Sequence, residues 1–468
     1  MTIGHSLKLL FSFMLLSWFY SGCGPKEQPS PSSPADTSKM DTSKVVIAAD
    51  TAWPRLVTDM VIYEVNMRAQ GAAGTFASFL PQLDSIKSLG ANVLWFMPLH
   101  PIGQLRSVGQ LGSPYAVRDY KAVSAEYGTM AEFKELVNQA HKRKMCVVMD
   151  WVGNHTAWDN SWIGQHPDWY TQNAAGQIQI PAGTNWQDVA DLNYGNAAMR
   201  LAMIDAMKFW LTEADVDGFR CDAADLMPFD FFAQMLESLK QVPSPRPRVW
   251  LAEGERADHI TAGFQMVYAW YFYTATKDII GGTAPASNIF ISHRGEYSNM
   301  GTTGQRLRFT TNHDITAWED TPPVFYGGLG GAMAASAAAI CLGGVPLIYN
   351  GQEVGCPTKL PLFSKSTIDW AANPAMRQFY KGLLRARKAH PALRQGSLQA
   401  YPNTDVIAFT RTAGTDKALV LINARNRPIN YTLPTEIANT VWKAQGGQRD
   451  SLGTQMTLRQ HEVTLLFK

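Results

Sequence analysis

From residue 60 onward, short apolar runs alternate with longer segments whose apolar residues recur at helical spacing. The runs are continuous over five or six residues, which is typical of parallel strands covered on both faces. Residues 76–89 and 130–142 have the period of amphipathic helices. The predicted strands are 61–66, 92–97, 145–150, 214–219, 248–252, 266–271, 307–311 and 345–349. Eight strands separated by helices predict an α/β fold, a (β/α)8 TIM barrel with reactive residues at the carboxyl ends of its strands.

Two regions depart from this alternation. Residues 155–195, after the third strand, form a long loop insertion rich in aromatic residues. After Pro391 the pattern changes to short alternating strands without strong helices, which predicts a small antiparallel β domain. We therefore predict a catalytic barrel over 51–393, with the inserted loop inside it, and a C-terminal β-sandwich domain over 394–468.

The first 50 residues are predicted to lie outside the barrel. Residues 1–23 have the features of a signal peptide, because Lys8 precedes an apolar run that is too short to span a membrane. The segment ends in Tyr20-Ser-Gly-Cys23, which resembles a bacterial lipidation site, although an aliphatic residue is usual at the position of Tyr20. The composition of 24–50 predicts a flexible tether. We expect an exported lipoprotein, anchored to the membrane through Cys23 on the periplasmic face or the cell surface; the alternative is ordinary secretion with an incidental cysteine.

Charge and cysteine content argue against several classes of protein. Lys and Arg number 41 and Asp and Glu 39 among 468 residues, and no basic stripe interleaved with aromatic residues is present. Nucleic acid is therefore not an expected partner. The other four cysteines show no spacing typical of a disulfide framework or a zinc site.

Two acidic residues at predicted strand ends carry the first indication of chemistry. In Asp217-Gly-Phe-Arg-Cys-Asp222, Arg220 and Asp222 are two positions apart, so both point the same way if the segment is extended. The next predicted strand, 248–252, ends at Glu253. Two carboxyl groups at the ends of neighbouring parallel strands, roughly 5 Å apart, are what retaining glycoside hydrolysis requires.

Six segments in order resemble the α-amylase superfamily, glycoside hydrolase family 13, and the resemblance spans residues 53–468. The matching segments are Asp150-Trp-Val-Gly-Asn154-His155, Asp191-Leu-Asn193, Gly218-Phe-Arg220-Cys-Asp222, Glu253, Thr311-Asn312-His313-Asp314 and Gly344-Val-Pro-Leu-Ile-Tyr-Asn-Gly-Gln-Glu353.

The resemblance implies a role for each acidic residue. Asp222 is expected to be the nucleophile, held ionised by Arg220, and Glu253 the general acid and base. Asp314 is expected to bind sugar hydroxyls and to favour the distorted ring of the transition state. The structural alternatives are an Asp–Arg pair that only stabilises the fold and a solvated glutamate in a loop.

Other side chains are expected to bind the sugar. The resemblance implies hydrogen bonds from His155 and His313 and stacking of Tyr115 on the sugar face. A tyrosine packed for stability is the alternative for Tyr115. The tryptophans of the insertion either line more distant glucose subsites or fill the loop; they are Trp158, Trp162, Trp169 and Trp186.

The resemblance also implies a structural metal. Asn154 and Asp191 match positions that hold Ca²⁺ in many relatives, and oxygen ligands suit this ion. The Lys-His pair that follows the nucleophile in true α-amylases is replaced by Ala223-Ala-Asp225-Leu226. The absence of this pair weakens the expectation of a metal site and the expectation of starch specificity alike. Any Ca²⁺ is expected to stabilise the fold, and no cofactor is expected in the chemistry.

These expectations combine into one leading hypothesis. The protein is expected to be a retaining hydrolase of α-glucosidic bonds in starch-like glucans or malto-oligosaccharides that acts through a covalent glycosyl-Asp intermediate. The alternatives are an α-glucan transglycosylase and a non-catalytic glucan-binding protein on the same fold. The expected partners are an α-glucan, the membrane and components of a glucan-uptake system.

Overall fold

The computed structural model describes residues 52–468. The predicted signal peptide, the tether and the lipidation site at Cys23 lie outside the described residues. Within 52–468, no helix is both long enough and apolar enough to cross a membrane.

Parallel strands close into a barrel. Among residues 52–468, eight strands form this barrel; each pairs with its neighbours in sequence, and the first also pairs with the last. The strands are β1 (Ile62–Val65), β2 (Val93–Phe96), β3 (Cys146–Trp151), β4 (Gly218–Cys221), β5 (Val249–Ala252), β6 (Met266–Tyr268), β7 (Gln305–Arg308) and β8 (Val345–Tyr349). The barrel predicted from the hydrophobic pattern is confirmed.

The two faces of a barrel strand are buried in different apolar clusters. On β2, Val93 and Trp95 belong to the cluster inside the barrel, whereas Leu94 and Phe96 pack with residues of the surrounding helices. Burial on both faces explains the continuous apolar runs of the sequence. Because side chains alternate between the faces, a polar residue at an inner position near the carboxyl end of a strand points into the mouth of the barrel.

Helices connect the barrel strands. The α-helices are α1 (Phe76–Phe79), α2 (Leu83–Leu89), α3 (Met130–Lys142), α4 (Ser161–Gln165), α5 (Ala197–Glu213), α6 (Phe229–Lys240), α7 (Asp258–Ala262), α8 (Trp270–Ile280), α9 (Asn288–Tyr297), α10 (Pro322–Phe325), α11 (Leu329–Cys341), α12 (Pro374–Ala389) and α13 (Pro391–Gln395). The 3₁₀ turns are Val57–Asp59, Met67–Ala69, Leu80–Gln82, Pro167–Trp169, Ala224–Leu226 and Gln352–Val354, and Ile315–Glu319 is a π-helix. The predicted helix 76–89 is interrupted by the 3₁₀ turn, since Pro81 has no amide hydrogen to continue the α-helical pattern.

Three predicted strands differ from the observed ones by more than one residue at an end, and one of these, predicted at 266–271, is β6 and ends at Tyr268. The strand predicted at 214–219 begins later, as β4 at Gly218. The reason is that α5 continues to Glu213 and the chain then turns at Asp215, whose φ is left-handed at 56°. The apolar run of the sequence thus joins the end of a helix to the start of a strand. The strand predicted at 307–311 is β7, which begins two residues earlier and ends at Arg308.

The insertion contains little regular structure. Its strands His155–Ala157 and Val189–Asp191 pair antiparallel. The Trp169 ring is buried and lies edge-on to Trp162, with centroids 5.1 Å apart. Trp186 also belongs to the insertion, and because its side chain is 37% exposed, its ring is accessible to a ligand.

The C-terminal region forms antiparallel sheets, as predicted. The larger sheet contains β9 (Ser397–Ala400), β10 (Val406–Ala413), β11 (Asp416–Asn423), β13 (Val441–Ala444), β14 (Arg449–Ser451) and β16 (Val463–Phe467), and the smaller one β12 (Ile429–Thr432) and β15 (Gln455–Leu458). An apolar cluster shared by both sheets includes Val406 and Leu419 from the larger and Tyr431 and Leu458 from the smaller. The boundary at residues 393 and 394 stays a prediction.

The cysteines of the described chain are buried and unpaired. They are Cys146, Cys221, Cys341 and Cys356. Burial raises the pKa of Cys341 to about 12, so this thiol stays protonated. Cysteines of this kind pack as small apolar side chains.

Candidate active site

The register of the barrel brings the two predicted catalytic carboxyl groups together. Cys221 on β4 pairs with Ala252 on β5, so Asp222 and Glu253 are the next residues on two adjacent parallel strands. The main chain continues this alignment, because the Glu253 N–H donates to Cys221 O at 2.9 Å. Both side chains therefore lie at the carboxyl end of the barrel, where barrel enzymes have their active sites.

Arg220 connects the acidic residues of the site. Its side chain is fully buried, and Nη1 donates to Asp150 Oδ1 at 2.7 Å and to Asp222 Oδ1 at 2.9 Å. Its Nη2 forms an ion pair with Glu253 Oε1 at 2.6 Å. The predicted Arg220–Asp222 contact is thus present, and the same guanidinium also holds the carboxyl groups of the neighbouring strands.

The Glu253 carboxyl group is held at both oxygens. Oε2 accepts a hydrogen bond from the Ala223 N–H at 2.7 Å. Ala223 adopts a left-handed φ of 45°, a conformation that costs free energy for a residue other than glycine. Burial raises the pKa of Glu253 to about 7; Arg220 opposes the shift, and the Asp222 and Asp314 carboxylates add to it. A glutamate with such a pKa can donate a proton near neutral pH.

Asp222 is perturbed in the same direction, but it ionises first. Burial raises its pKa to about 6, Arg220 lowers it, and the nearby Asp150 and Asp314 carboxylates raise it. Between about pH 6 and 7, Asp222 is therefore more ionised than Glu253. Two carboxyl groups whose environments separate their pKa values in this order suit a nucleophile and a general acid.

His313 and Asp314 follow β7 at the same end of the barrel. His313 Nε2 is 3.2 Å from Asp314 Oδ2 and 2.8 Å from the Tyr115 hydroxyl. Its Nδ1 is 2.5 Å from Oε1 of Glu64, a fully buried residue of β1. Burial alone would lower the pKa of His313, but Asp314 and Glu64 raise it to about 9.

Tyr115 and His155 lie at the same site. The Tyr115 ring stacks on His313 with centroids 5.5 Å apart, and its hydroxyl donates to Asp150 Oδ2 at 3.2 Å. Burial lowers the pKa of His155 to about 4, so its ring is neutral near pH 7. His155 lies edge-on to Trp186 at 5.4 Å. The structure thus brings the predicted sugar-binding side chains together, and their roles stay predictions.

The predicted calcium ligands lie on the insertion side of the site. Asn154 is buried, and its backbone oxygen accepts from the Leu192 N–H at 3.2 Å, next to Asp191. Burial raises the pKa of Asp191. Within residues 52–468, no cluster of three or more His, Cys, Asp or Glu side chains is arranged to hold a metal ion. The pair fits Ca²⁺ in ligand chemistry but not in number, since this ion takes six to eight oxygens. Calcium here stays a prediction, and no chemical step depends on it.

Four residues of the site received no individual role from the sequence. Trp95 donates from Nε1 to Asp150 Oδ2 at 3.2 Å and lies against the Arg220 guanidinium. Tyr268 accepts from Arg220 Nε at 3.2 Å, and Glu64 contacts His313. The available signal was a polar or amphipathic residue at an inner position near the end of an apolar strand. The four are Glu64, Trp95, Asp150 and Tyr268.

Curated proteins similar to this chain include an α-amylase and a maltosyltransferase. A family model described as the α-amylase catalytic domain matches residues 36–247. α-Amylase MalA of Haloarcula japonica is 26% identical over 432 residues, which cover 86% of this chain and 61% of that protein. An α-1,4-glucan:maltose-1-phosphate maltosyltransferase of Cereibacter sphaeroides is 25% identical over 425 residues, 81% of this chain and 67% of that protein. The chain thus spans about two thirds or less of the length of these relatives.

Solved structures agree with the sequence relatives. The maltogenic α-amylase AmyB of Thermotoga neapolitana is similar with a TM-score of 0.78 and 28% identity, over 88% of this chain and 99% of that chain. This chain itself has a closed parallel barrel, a match to the catalytic-domain model and acidic residues directly after adjacent strands. On these grounds the chain belongs to the α-amylase superfamily, glycoside hydrolase family 13.

Proposed function

We propose that the protein is a retaining glycoside hydrolase that cleaves α-glucosidic bonds in starch-like glucans or malto-oligosaccharides. The observation that carries this proposal is that the Arg220 guanidinium contacts both carboxyl groups. Its Nη1 is 2.9 Å from Asp222 Oδ1, and its Nη2 is 2.6 Å from Glu253 Oε1. The nucleophile and the acid are thereby held close together at adjacent strand ends, as double displacement at a sugar carbon requires.

The chemistry proceeds in two displacements. An ionised Asp222 oxygen attacks the anomeric carbon while Glu253 gives its proton to the leaving glycosidic oxygen. The ionised Glu253 then removes a proton from water, whose oxygen attacks the same carbon and releases Asp222. Two inversions leave the product with the α configuration of the substrate.

The remaining side chains orient the sugar. Asp314 lies beside His313, so the two can bind neighbouring hydroxyls of one glucose ring. Tyr115 offers an aromatic face, which suits the apolar face of a sugar. These side chains support the proposal because Asp314 is close enough to raise the pKa of both Asp222 and Glu253.

A second candidate is an α-glucan transglycosylase. The similarity to a maltosyltransferase favours it, because that enzyme class transfers a sugar unit to an acceptor. The two functions share every step up to the covalent intermediate and differ only in whether water or a sugar hydroxyl resolves it. A non-catalytic glucan-binding protein is less favoured, because the nucleophile, the acid and Arg220 are all present.

The test is turnover of a panel of α-glucans by the full chain: starch, pullulan, maltoheptaose and isomaltose-type oligomers. Proton NMR follows the anomeric signals, and we expect α-anomeric products first. Asp222→Asn should abolish turnover. The matched control Asp230→Asn should not, since Asp230 belongs to an exposed Asp–Arg pair with Arg200 at 2.7 Å. Products longer than the substrate would establish the transferase, and β-anomeric products would contradict the mechanism.

We also propose that the protein is exported and anchored through a lipid on Cys23, where it would act beside components of a glucan-uptake system. The apolar run before Cys23 and the tether after it support this proposal. Metabolic labelling with a fatty acid should mark the wild-type protein and not Cys23→Ser. Equal labelling of both would refute the anchor.

A further inference from the structure

Glu64 is a carboxyl group inside the barrel that the proposed steps do not use. It lies on β1 two residues after Ile62, which belongs to the interior cluster, and so it shares the inner face. Its side chain is fully buried. A buried carboxylate costs free energy unless it is paired and hydrogen-bonded, so an acid at this position requires a partner.

The partner of Glu64 is His313. Glu64 Oε1 lies 2.5 Å from His313 Nδ1, and Oε2 has no hydrogen-bond partner among the described residues. A carboxylate has only acceptor oxygens, so the nitrogen facing it carries a proton. This contact therefore fixes the protonation of Nδ1 and the orientation of the ring.

The opposite nitrogen of His313 faces the proposed sugar site. Nε2 lies 2.8 Å from the Tyr115 hydroxyl and 3.2 Å from Asp314 Oδ2. A neutral ring with its proton on Nδ1 would present a lone pair at Nε2, whereas a doubly protonated ring presents a donor. The protonation state of the ring thus decides whether a sugar hydroxyl meets a donor or an acceptor.

We propose that Glu64 is a positioning residue that keeps His313 doubly protonated, so that Nε2–H donates to a hydroxyl of the bound sugar. The kinetic consequence of this proposal rests on the proposed glycosidase function, whereas the contact between Glu64 and His313 does not. Glu64 contacts Nδ1 of the imidazole, whereas Tyr115 and Asp314 face Nε2, so Glu64 acts on the sugar-binding nitrogen through His313.

The charges around the ring agree with this role. Burial alone would disfavour the cation, but the Asp314 and Glu64 carboxylates raise the pKa of His313 to about 9. Burial also raises the pKa of Glu64, and the His313 cation opposes that rise. The other titratable groups that interact with this pair or contact the ring are Arg220, which opposes the cation, the acids Asp150 and Asp222, and the tyrosines Tyr115, Tyr268 and Tyr349.

The test compares Glu64→Gln with Glu353→Gln in the full chain. Glu353 is a matched control, because it is also buried, follows the adjacent strand β8 and accepts a hydrogen bond from the Tyr63 hydroxyl at 2.7 Å. Both variants exchange a buried glutamate for its amide, and only the first removes a carboxylate from His313.

The first measurement is NMR titration of the imidazole nitrogens after labelling with ¹⁵N-histidine, with His313→Gln used to assign the signal. We expect wild-type His313 to carry both protons near neutral pH, with a midpoint near 9. Glu64→Gln should lower that midpoint by about one unit or more, and Glu353→Gln should leave it in place. A wild-type midpoint near the ordinary histidine value of about 6.5 would overturn the proposal, even if the variant does not fold.

The second measurement is kcat/KM on a malto-oligosaccharide as a function of pH. The titration of Glu253 is common to wild type and Glu64→Gln, so it cancels in the ratio of their kcat/KM values. If the pKa of His313 returns to about 6.5 in Glu64→Gln, the ratio of wild-type to variant kcat/KM at about pH 8 rises to roughly 30. A ratio that does not change with pH would assign Glu64 to packing alone. An inactive wild type would refute the proposed function, and the NMR midpoint would still decide the role of Glu64.

Discussion

Replacing Asp222 by asparagine is expected to abolish turnover and, at the same time, to stabilise the folded protein above neutral pH. Burial raises the pKa of Asp222 from 3.8 to about 6, and Arg220 offsets this only in part because Asp150 and Asp314 repel the charge. Ionising this carboxyl group is therefore less favourable in the folded chain than in the unfolded one. Asparagine has a similar shape and no charge to bury.

The magnitude follows from proton linkage. A shift of about 2 pKa units corresponds to ~3 kcal/mol once Asp222 is fully ionised. Arg220 also loses a charge-assisted hydrogen bond in the variant, so we expect a gain of about 1–3 kcal/mol in the free energy of unfolding at about pH 8. A carboxyl group whose pKa is raised by folding contributes its stability below its unfolded pKa of 3.8 and loses it as the pH rises through about 6. The gain should therefore be absent at about pH 4 and develop toward neutral pH.

Urea denaturation of wild type and variant at about pH 4, 6 and 8 measures this difference. Asp230→Asn is the control of opposite sign, since its hydrogen bond to Arg200 lowers the pKa of Asp230. That substitution should slightly reduce stability above the unfolded pKa of aspartate. An Asp222→Asn protein that is less stable than wild type at about pH 8, or equally stabilised at about pH 4 and 8, would refute the reasoning.

The remaining predictions concern the strained backbone, the titration of the site and the metal. Ala223→Gly is expected to raise the melting temperature with turnover retained, because glycine adopts a φ of 45° at lower cost and keeps the amide that donates to Glu253; lost turnover would contradict this. The pH profile of kcat/KM is expected to be a narrow bell with an acid limb near 6 from Asp222 and an alkaline limb near 7 from Glu253, so a broad plateau would contradict the assignment. EDTA is expected to lower the melting temperature of wild type and not of Asp191→Asn, whereas equal shifts would exclude the predicted calcium site.

The contacts that could be predicted are those that depend on short-range geometry. Arg220 and Asp222 are two residues apart at the end of a strand, so their contact follows from the period of extended chain. Glu253 joins them because it ends the next strand, and parallel neighbours in a barrel bring their carboxyl ends to one rim. Neither inference requires knowledge of the side chains packed elsewhere.

The contacts that were missed depend on residues far apart in sequence. Glu64 lies on the first strand of the barrel and His313 follows the seventh, so the two are 249 positions apart. The sequence pattern marks Glu64 as an acid within an apolar strand, but it does not say which side chain pairs with it. The false strand start at residue 214 has a different cause, because an apolar helix end and an apolar strand start cannot be distinguished by composition alone.

The site combines several carboxyl groups with few cations, and this imbalance links stability to the proposed chemistry. Asp150, Asp222 and Glu253 share the guanidinium of Arg220, and burial raises the pKa of each carboxyl group. Ionisation of these carboxyl groups therefore destabilises the fold as the pH rises. The transition state of glycoside transfer has positive charge at the sugar ring, which groups already held in place stabilise without reorganising. Neutral variants of Asp222 or Glu253 should consequently gain stability and lose turnover together, because both effects arise from the same buried negative charge.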